Sequence, residues 1–219
     1  MSEIFIGKLS YVIAAIYEVL LIYMFLKDFL GNKTQKWEKS LAFVFFFIFS
    51  TFINMYVPIP FITLLYDFIG IFALSFFFDG DWKTKVFASV LFIAFLIASE
   101  IMTLLSIMML GSMSADTALG ESTNRLLGVI ISKTLLLVIV KIACAVRQKS
   151  YVKIPLMYWL ALIFILIISI LSVYNITMIN MQLGYTKYTT FSFIIVIGLC
   201  FTNVLVFYLF ESILRKKGA

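Results

Sequence analysis

Seven apolar segments, separated by short polar gaps, leave this chain few ways to fold. They cover about residues 4–26, 41–57, 61–78, 86–110, 126–146, 154–174 and 189–210. Each approaches the roughly 20 apolar residues that a helix needs to cross a bilayer. Inside hydrocarbon every backbone N–H and C=O must be satisfied within its own segment, which favours helices over open strands. Of the 219 residues 63% are apolar and 13% charged, and mean hydropathy is +1.12. A soluble domain carries about 25% charged residues, so lipid must solvate most of this surface. The expected fold is all-α: a polytopic membrane helix bundle of about seven transmembrane helices, with six possible. It forms one transmembrane domain over residues 1–219 with no soluble domain. The first segment has no small-residue cleavage site after it and is interrupted by Glu18, so it reads as a retained helix.

Basic residues crowd into every second gap. The first gap holds Lys27, Lys33, Lys36 and Lys39, the third Lys83 and Lys85, the fifth Arg147, Lys149 and Lys153, and the C-terminal tail Arg215, Lys216 and Lys217. The other side has only Lys8, Arg125 and Lys187, while Lys133 and Lys141 fall inside the fifth segment. Twelve basic residues against three place the N-terminus outside and the C-terminus in the cytoplasm. Trp37, Trp82 and Trp159 fall near the inner interface, and Tyr56, Tyr174, Tyr185 and Tyr188 near the outer one. Pro58 and Pro60 break the chain between the second and third segments. Lysine outnumbers arginine 14 to 3 and isoleucine and phenylalanine abound, a bias that suits an AT-rich bacterium and its cell membrane.

The chain contains no histidine. That removes His-ligated metal sites, Ser-His and Cys-His nucleophile pairs and a phospho-accepting histidine within these residues. No cofactor or metal is expected. Cys144 and Cys200 both lie in apolar segments and read as small core residues rather than a disulfide. The net charge of +6 reads as membrane orientation, because no clustered basic face accompanies it for nucleic acid. Phe45, Phe46, Phe47 and Phe49 are expected to face lipid, and Gly128 and Gly198 to permit close helix contact. Met102, Met108, Met109 and Met113 read as core filler or as an adaptable apolar surface.

Charges within the segments are costly, about 2.5–3.5 kcal/mol each on the mildest scale, and so need partners or a purpose. Counting about 1.5 Å per residue from the outer ends puts Asp67 at about 9–12 Å, Lys133 at about 10–12 Å and Glu100 at about 15 Å. These three share one layer in the outer half. Glu18 and Lys141 count to about 20–24 Å and are expected to form a second, inner pair. Either each lysine simply neutralises a carboxylate, or Asp67, Glu100 and Lys133 floor a polar cavity open to the outside. Asp67 and Glu100 could serve in acid–base chemistry, but membrane proteases with paired glutamates usually also use histidine, and no enzymatic activity is expected.

The last segment leaves the membrane as FYLFESILRKK, residues 207–217, a basic helix still under way. With the seven-span layout, this exit resembles the membrane sensor half of the Agr-type, GHKL-class peptide-sensing histidine kinases. The likeness covers the whole chain in topology and the last dozen residues in motif. It implies a receptor domain of a bacterial two-component quorum-sensing system that binds an extracellular, apolar and often cyclic peptide. It further implies signalling through the last helix to a cytoplasmic kinase half, and a homodimer formed through that half. The family's histidine and glycine-rich ATP box are not in this sequence, which therefore corresponds to the input portion alone. The mouth would lie at residues 56–60, 111–125 and 178–188. There Tyr56, Met178, Met181 and Tyr185 would bury the ligand's apolar part, and Arg125 or Lys187 would meet a carbonyl or carboxylate. A competing expectation is the substrate-binding membrane subunit of a small-molecule, vitamin-type transporter, usually six-span, in which Asp67, Glu100 and Lys133 would suit a zwitterion. A membrane scaffold or immunity protein without a ligand is a third.

Overall fold

The computed structural model describes residues 2–33, 37–57, 60–111, 122–146, 156–183 and 187–218. They form seven α-helices: α1 (Ser2–Leu30), α2 (Trp37–Tyr56), α3 (Pro60–Ser75), α4 (Trp82–Gly111), α5 (Ser122–Val146), α6 (Leu156–Leu183) and α7 (Lys187–Gly218). All but α3 contain a stretch long and apolar enough to cross a membrane. Sixteen residues of α3 rise only about 24 Å, short of a roughly 30 Å hydrocarbon core. The protein is thus a polytopic helical membrane bundle with six helices long and apolar enough to span and one shorter apolar helix among the described residues.

The end of α3 departs from the sequence expectation. Apolar residues continue through Phe78, but the helix stops at Ser75 and tightens into three i→i+3 turns, with Phe76, Phe77 and Phe78 N–H bonded to Ala73, Leu74 and Ser75 carbonyls. Phe78 then drops, fully buried, into the core. Gly80, at φ +104°, supplies the left-handed residue that turns the chain back, and Asp81 caps α4 by accepting from the Thr84 N–H at 3.3 Å and from its hydroxyl. Gly31, at φ +98°, ends α1 in the same way, its N–H returning to the Lys27 carbonyl at 3.1 Å.

Helix α4 is the axis. It packs on α1, α3, α5, α6 and α7, while α2 sits outside on α1 and α3. Its span is the most buried of the six. Phe92 and Phe95 are enclosed in the core, as are Met102 and Met108. An aromatic stack ties α1, α4 and α7 together at one end: Phe29 to Phe207 at 5.6 Å and Phe87 to Phe207 at 5.1 Å between centroids. Because Phe29 closes α1, Phe87 opens α4 and Phe207 ends the span of α7, the basic first and third gaps and the C-terminal exit share that end of the bundle.

The two connections at this basic end clasp each other. Asn32 bridges Phe78, and the Lys39 ammonium donates to Asn32 Oδ1 at 2.9 Å. The same ammonium lies 3.5 Å from the centroid of the Phe78 ring and 5.0 Å from that of Tyr23. Cation–π contact of this kind satisfies a charge taken out of water. Elsewhere a belt of large apolar side chains, Phe45, Phe49, Phe164 and Phe201 among them, faces outward. Phe46 does not belong to that belt. It is buried, stacked on Tyr66 at 5.6 Å and pressed against Gly70, so only one side of the phenylalanine run looks to lipid.

Candidate functional site

Four ionisable side chains from four helices form a layer in the half of the bundle away from the basic end. Asp67 on α3, Glu100 on α4 and Lys133 on α5 lie about 10–17 Å from the opposite end, counting about 1.5 Å per residue from Pro60, Gly111 and Ser122, and Glu18 on α1 joins the layer through its bond to Lys133. The Lys133 ammonium donates to Glu18 Oε2 at 3.2 Å and to Glu100 Oε1 at 3.0 Å. Lys133 is 4% exposed, Asp67 5% and Glu18 6%, whereas the Glu100 side chain is 53% exposed. Asp67 lies within electrostatic range of all three others. Glu18 Oε1 and Asp67 Oδ1 are buried without a hydrogen-bond partner among the described residues.

Asp67, Glu100 and Lys133 are therefore brought into one layer, as their depth implies. The pairing of Glu18 with Lys141 is corrected: Glu18 binds Lys133, and Lys141 binds Asp28 at 3.3 Å. The reason is register. Counted from the basic end, at Leu30 of α1 and Val146 of α5, Glu18 lies about 18 Å along its helix and Lys133 about 20 Å, so the two are level. Asp28, assigned from sequence to the first gap, is still helical and reaches Lys141 near the basic end.

The residues expected around the mouth are dispersed or partly outside the described set. Tyr56 ends α2, exposed, its ring 4.9 Å from that of Phe52. Met178 is exposed on α6, which packs on α4 and α7, while α2 packs on α1 and α3, so Tyr56 and Met178 are on different flanks. Arg125, Met181 and Lys187 occupy helical positions in α5, α6 and α7. Tyr185 and residues 112–121 lie outside the described residues.

Two polar contacts between α6 and α7 carry no charge and gave no signal in sequence. Ser169 donates to Asn203 at 3.0 Å, and Asn180 donates to Ser192 at 2.8 Å. Bonds of this kind join helices where lipid supplies no hydrophobic drive between them. A Cβ added at Gly198 would meet nothing within 4 Å, so no close packing depends on that glycine, while one added at Gly128 would stand 3.4 Å from the side chain of Ile107. The close approach is at Gly70, where an added Cβ would come 2.3 Å from the Phe46 ring.

The chemistry open to the layer is exchange of partners. One ammonium faces three carboxylates on three helices and bonds two of them. Moving it between them changes which helices are tied, without leaving the charge bare. No family model matches the sequence, and neither a curated protein nor a solved structure matches the chain.

Proposed function

We propose that this protein is the sensor domain of a bacterial two-component quorum-sensing receptor. It sits in the cytoplasmic membrane with its N-terminus outside and takes an extracellular apolar peptide. Its own role is binding, with phosphotransfer assigned to a kinase half beyond these residues, through which two copies pair. The observation that carries the reading is α7. It is one unbroken helix of 32 residues from Lys187 to Gly218, running from the apolar stretch on through the basic residues Arg215, Lys216 and Lys217. A rod of that kind passes rotation or tilt from one side of a membrane to the other.

The buried charges give the rod something to respond to. Glu100 is half exposed and holds Lys133 from α4, the helix on which α7 packs. A ligand group that engages Glu100 weakens that bond and leaves Lys133 to Glu18 and Asp67. The packing of α5 on α4 then shifts, and α7 follows. Binding favours one of two arrangements to the extent that it contacts them differently.

The test uses the purified chain in lipid nanodiscs and a panel of synthetic linear and cyclic apolar peptides. Binding is expected, weakened by Glu100→Gln and by Arg125→Ala or Lys187→Ala, with a spin label at Ser212→Cys changing mobility on saturation. Affinity unchanged in Arg125→Ala and Lys187→Ala removes those residues from the site. A peptide that binds without moving the label sinks the coupling.

The count of six long spans favours a second reading, the substrate-binding subunit of a vitamin-type transporter. Here the charge layer would hold a zwitterion. Co-purification of ATPase subunits from native membranes supports this reading, and their absence together with kinase-linked dimers supports the first.

A further inference from the structure

We propose that the seam between α5 and α7 is a groove for one acyl chain of an anionic phospholipid, whose headgroup rests at the basic end of the bundle. This assignment is independent of the sensor reading. Helices α5 and α7 both pack on α4 but scarcely meet each other, and a cleft of about 380 Å³ is left between them. Ile139 and Ile142 of α5 form one wall, Ile197, Phe201 and Tyr208 of α7 the other, and Met102 of α4 lies behind. The rim residues Ile142, Ile197 and Phe201 are exposed, so the cleft opens sideways, toward lipid rather than toward water.

Three properties select the occupant. The first is chemistry. The walls are aliphatic and aromatic carbon, with only the Cys200 thiol, the Met102 thioether and the Tyr208 hydroxyl to interrupt them, which suits a hydrocarbon and gives water no set of partners. The cleft exceeds twice the roughly 150 Å³ that accommodates one benzene in an apolar cavity, so an elongated group is required. The second is length. Ile197 to Tyr208 spans eleven helical steps, about 16 Å, and one leaflet of hydrocarbon is about 15 Å deep. The third is charge. Positions 197, 201, 204, 208, 212 and 215 recur at helical spacing along one stripe of α7, so the groove leads by register to Arg215, beside Lys216 and Lys217. In sequence, α5 is followed by the basic residues Arg147, Lys149 and Lys153. An apolar slot ending in a basic cluster fits a chain and a phosphate on one molecule.

The headgroup supplies the preference. A chain in the groove gains little over a chain in bulk lipid, because both surroundings are equally apolar. Each basic residue near an anionic surface contributes about fivefold in affinity. Lys141, next to the rim residue Ile142, is held by Asp28 of α1.

The experiment is native mass spectrometry of the full chain in detergent, titrated separately with phosphatidylglycerol and phosphatidylcholine. One phosphatidylglycerol per chain is expected to survive activation preferentially. Arg215→Gln should lower its retention about fivefold, and Val204→Trp, which fills the groove, should abolish the preferential binding. Equal retention of the two lipids by the unaltered protein overturns the proposal. So does undiminished phosphatidylglycerol binding in both variants. A dimer that Val204→Trp dissociates, with lipid retention unchanged, assigns the groove to a second copy instead. Should Val204→Trp fail to fold, the headgroup comparison and Arg215→Gln decide the matter.

Discussion

Removing the Lys133 ammonium strands two carboxylates that it holds, one of them, Glu18, almost wholly enclosed. Breaking a buried pair from one side costs about 3–5 kcal/mol, because the remaining charge has no compensation. Lys133→Met should therefore lower the thermal midpoint in detergent sharply, and adding Glu18→Gln should restore part of the loss. Lys141→Met should do far less, since Lys141 and Asp28 are both about half exposed near the basic end, where a long side chain reaches the interface. Equal melting of the two lysine variants would contradict this ranking. The two lysines look alike in sequence, both embedded in the fifth segment. Depth alone put Lys133 with Glu100 and Asp67, because the sparse gaps mark the outer ends of α3, α4 and α5. Glu18 pairs differently from its expected depth because α1, at 29 residues, is longer than α5, so counting from its outer end places Glu18 too deep.

At the level of helices, α2 and α3 are held by fit rather than by charge. Gly70 of α3 lets the Phe46 ring of α2 lie flat on Tyr66, at 5.6 Å between centroids with the rings within 5° of parallel. A valine there forces that ring aside, and overpacking of this kind costs about 1–3 kcal/mol. Gly70→Val should thus destabilise the protein and separate spin labels placed on α2 and α3. Gly198→Val, whose Cβ meets nothing, is the control and should change neither. No difference between the two would show that α2 is not seated through this contact. The apolar segments were legible because their lengths match a membrane, yet the end of α3 was not. Phe76, Phe77 and Phe78 are as apolar as the helix before them, and hydropathy carries no record that the chain unwinds to bury Phe78. The neighbours around α4 were equally hidden, since Glu18 and Lys133 meet across 115 residues of sequence.

For the molecule as a whole, the short α3 decides the topology. If it crosses the bilayer, Val57 and Asp81 lie on opposite sides, although α3 rises only about 24 Å. With Cys144 and Cys200 replaced by alanine, a membrane-impermeant maleimide should label Val57→Cys in intact cells and Asp81→Cys only after lysis. Labelling of both from outside would make α3 a re-entrant helix and reduce the count of crossings to six. The clasp at the basic end has a mechanical corollary. Asn32, Phe78 and Lys39 rivet the α1–α2 connection to the α3–α4 connection, so the first four helices behave as a fixed post. Helices α6 and α7, buttoned to each other by Ser169–Asn203 and Asn180–Ser192, form a second piece that touches the post chiefly along α4. Helices α6 and α7 thus form a paired unit fastened to the rest along α4, with the seam beside α5 left along its margin.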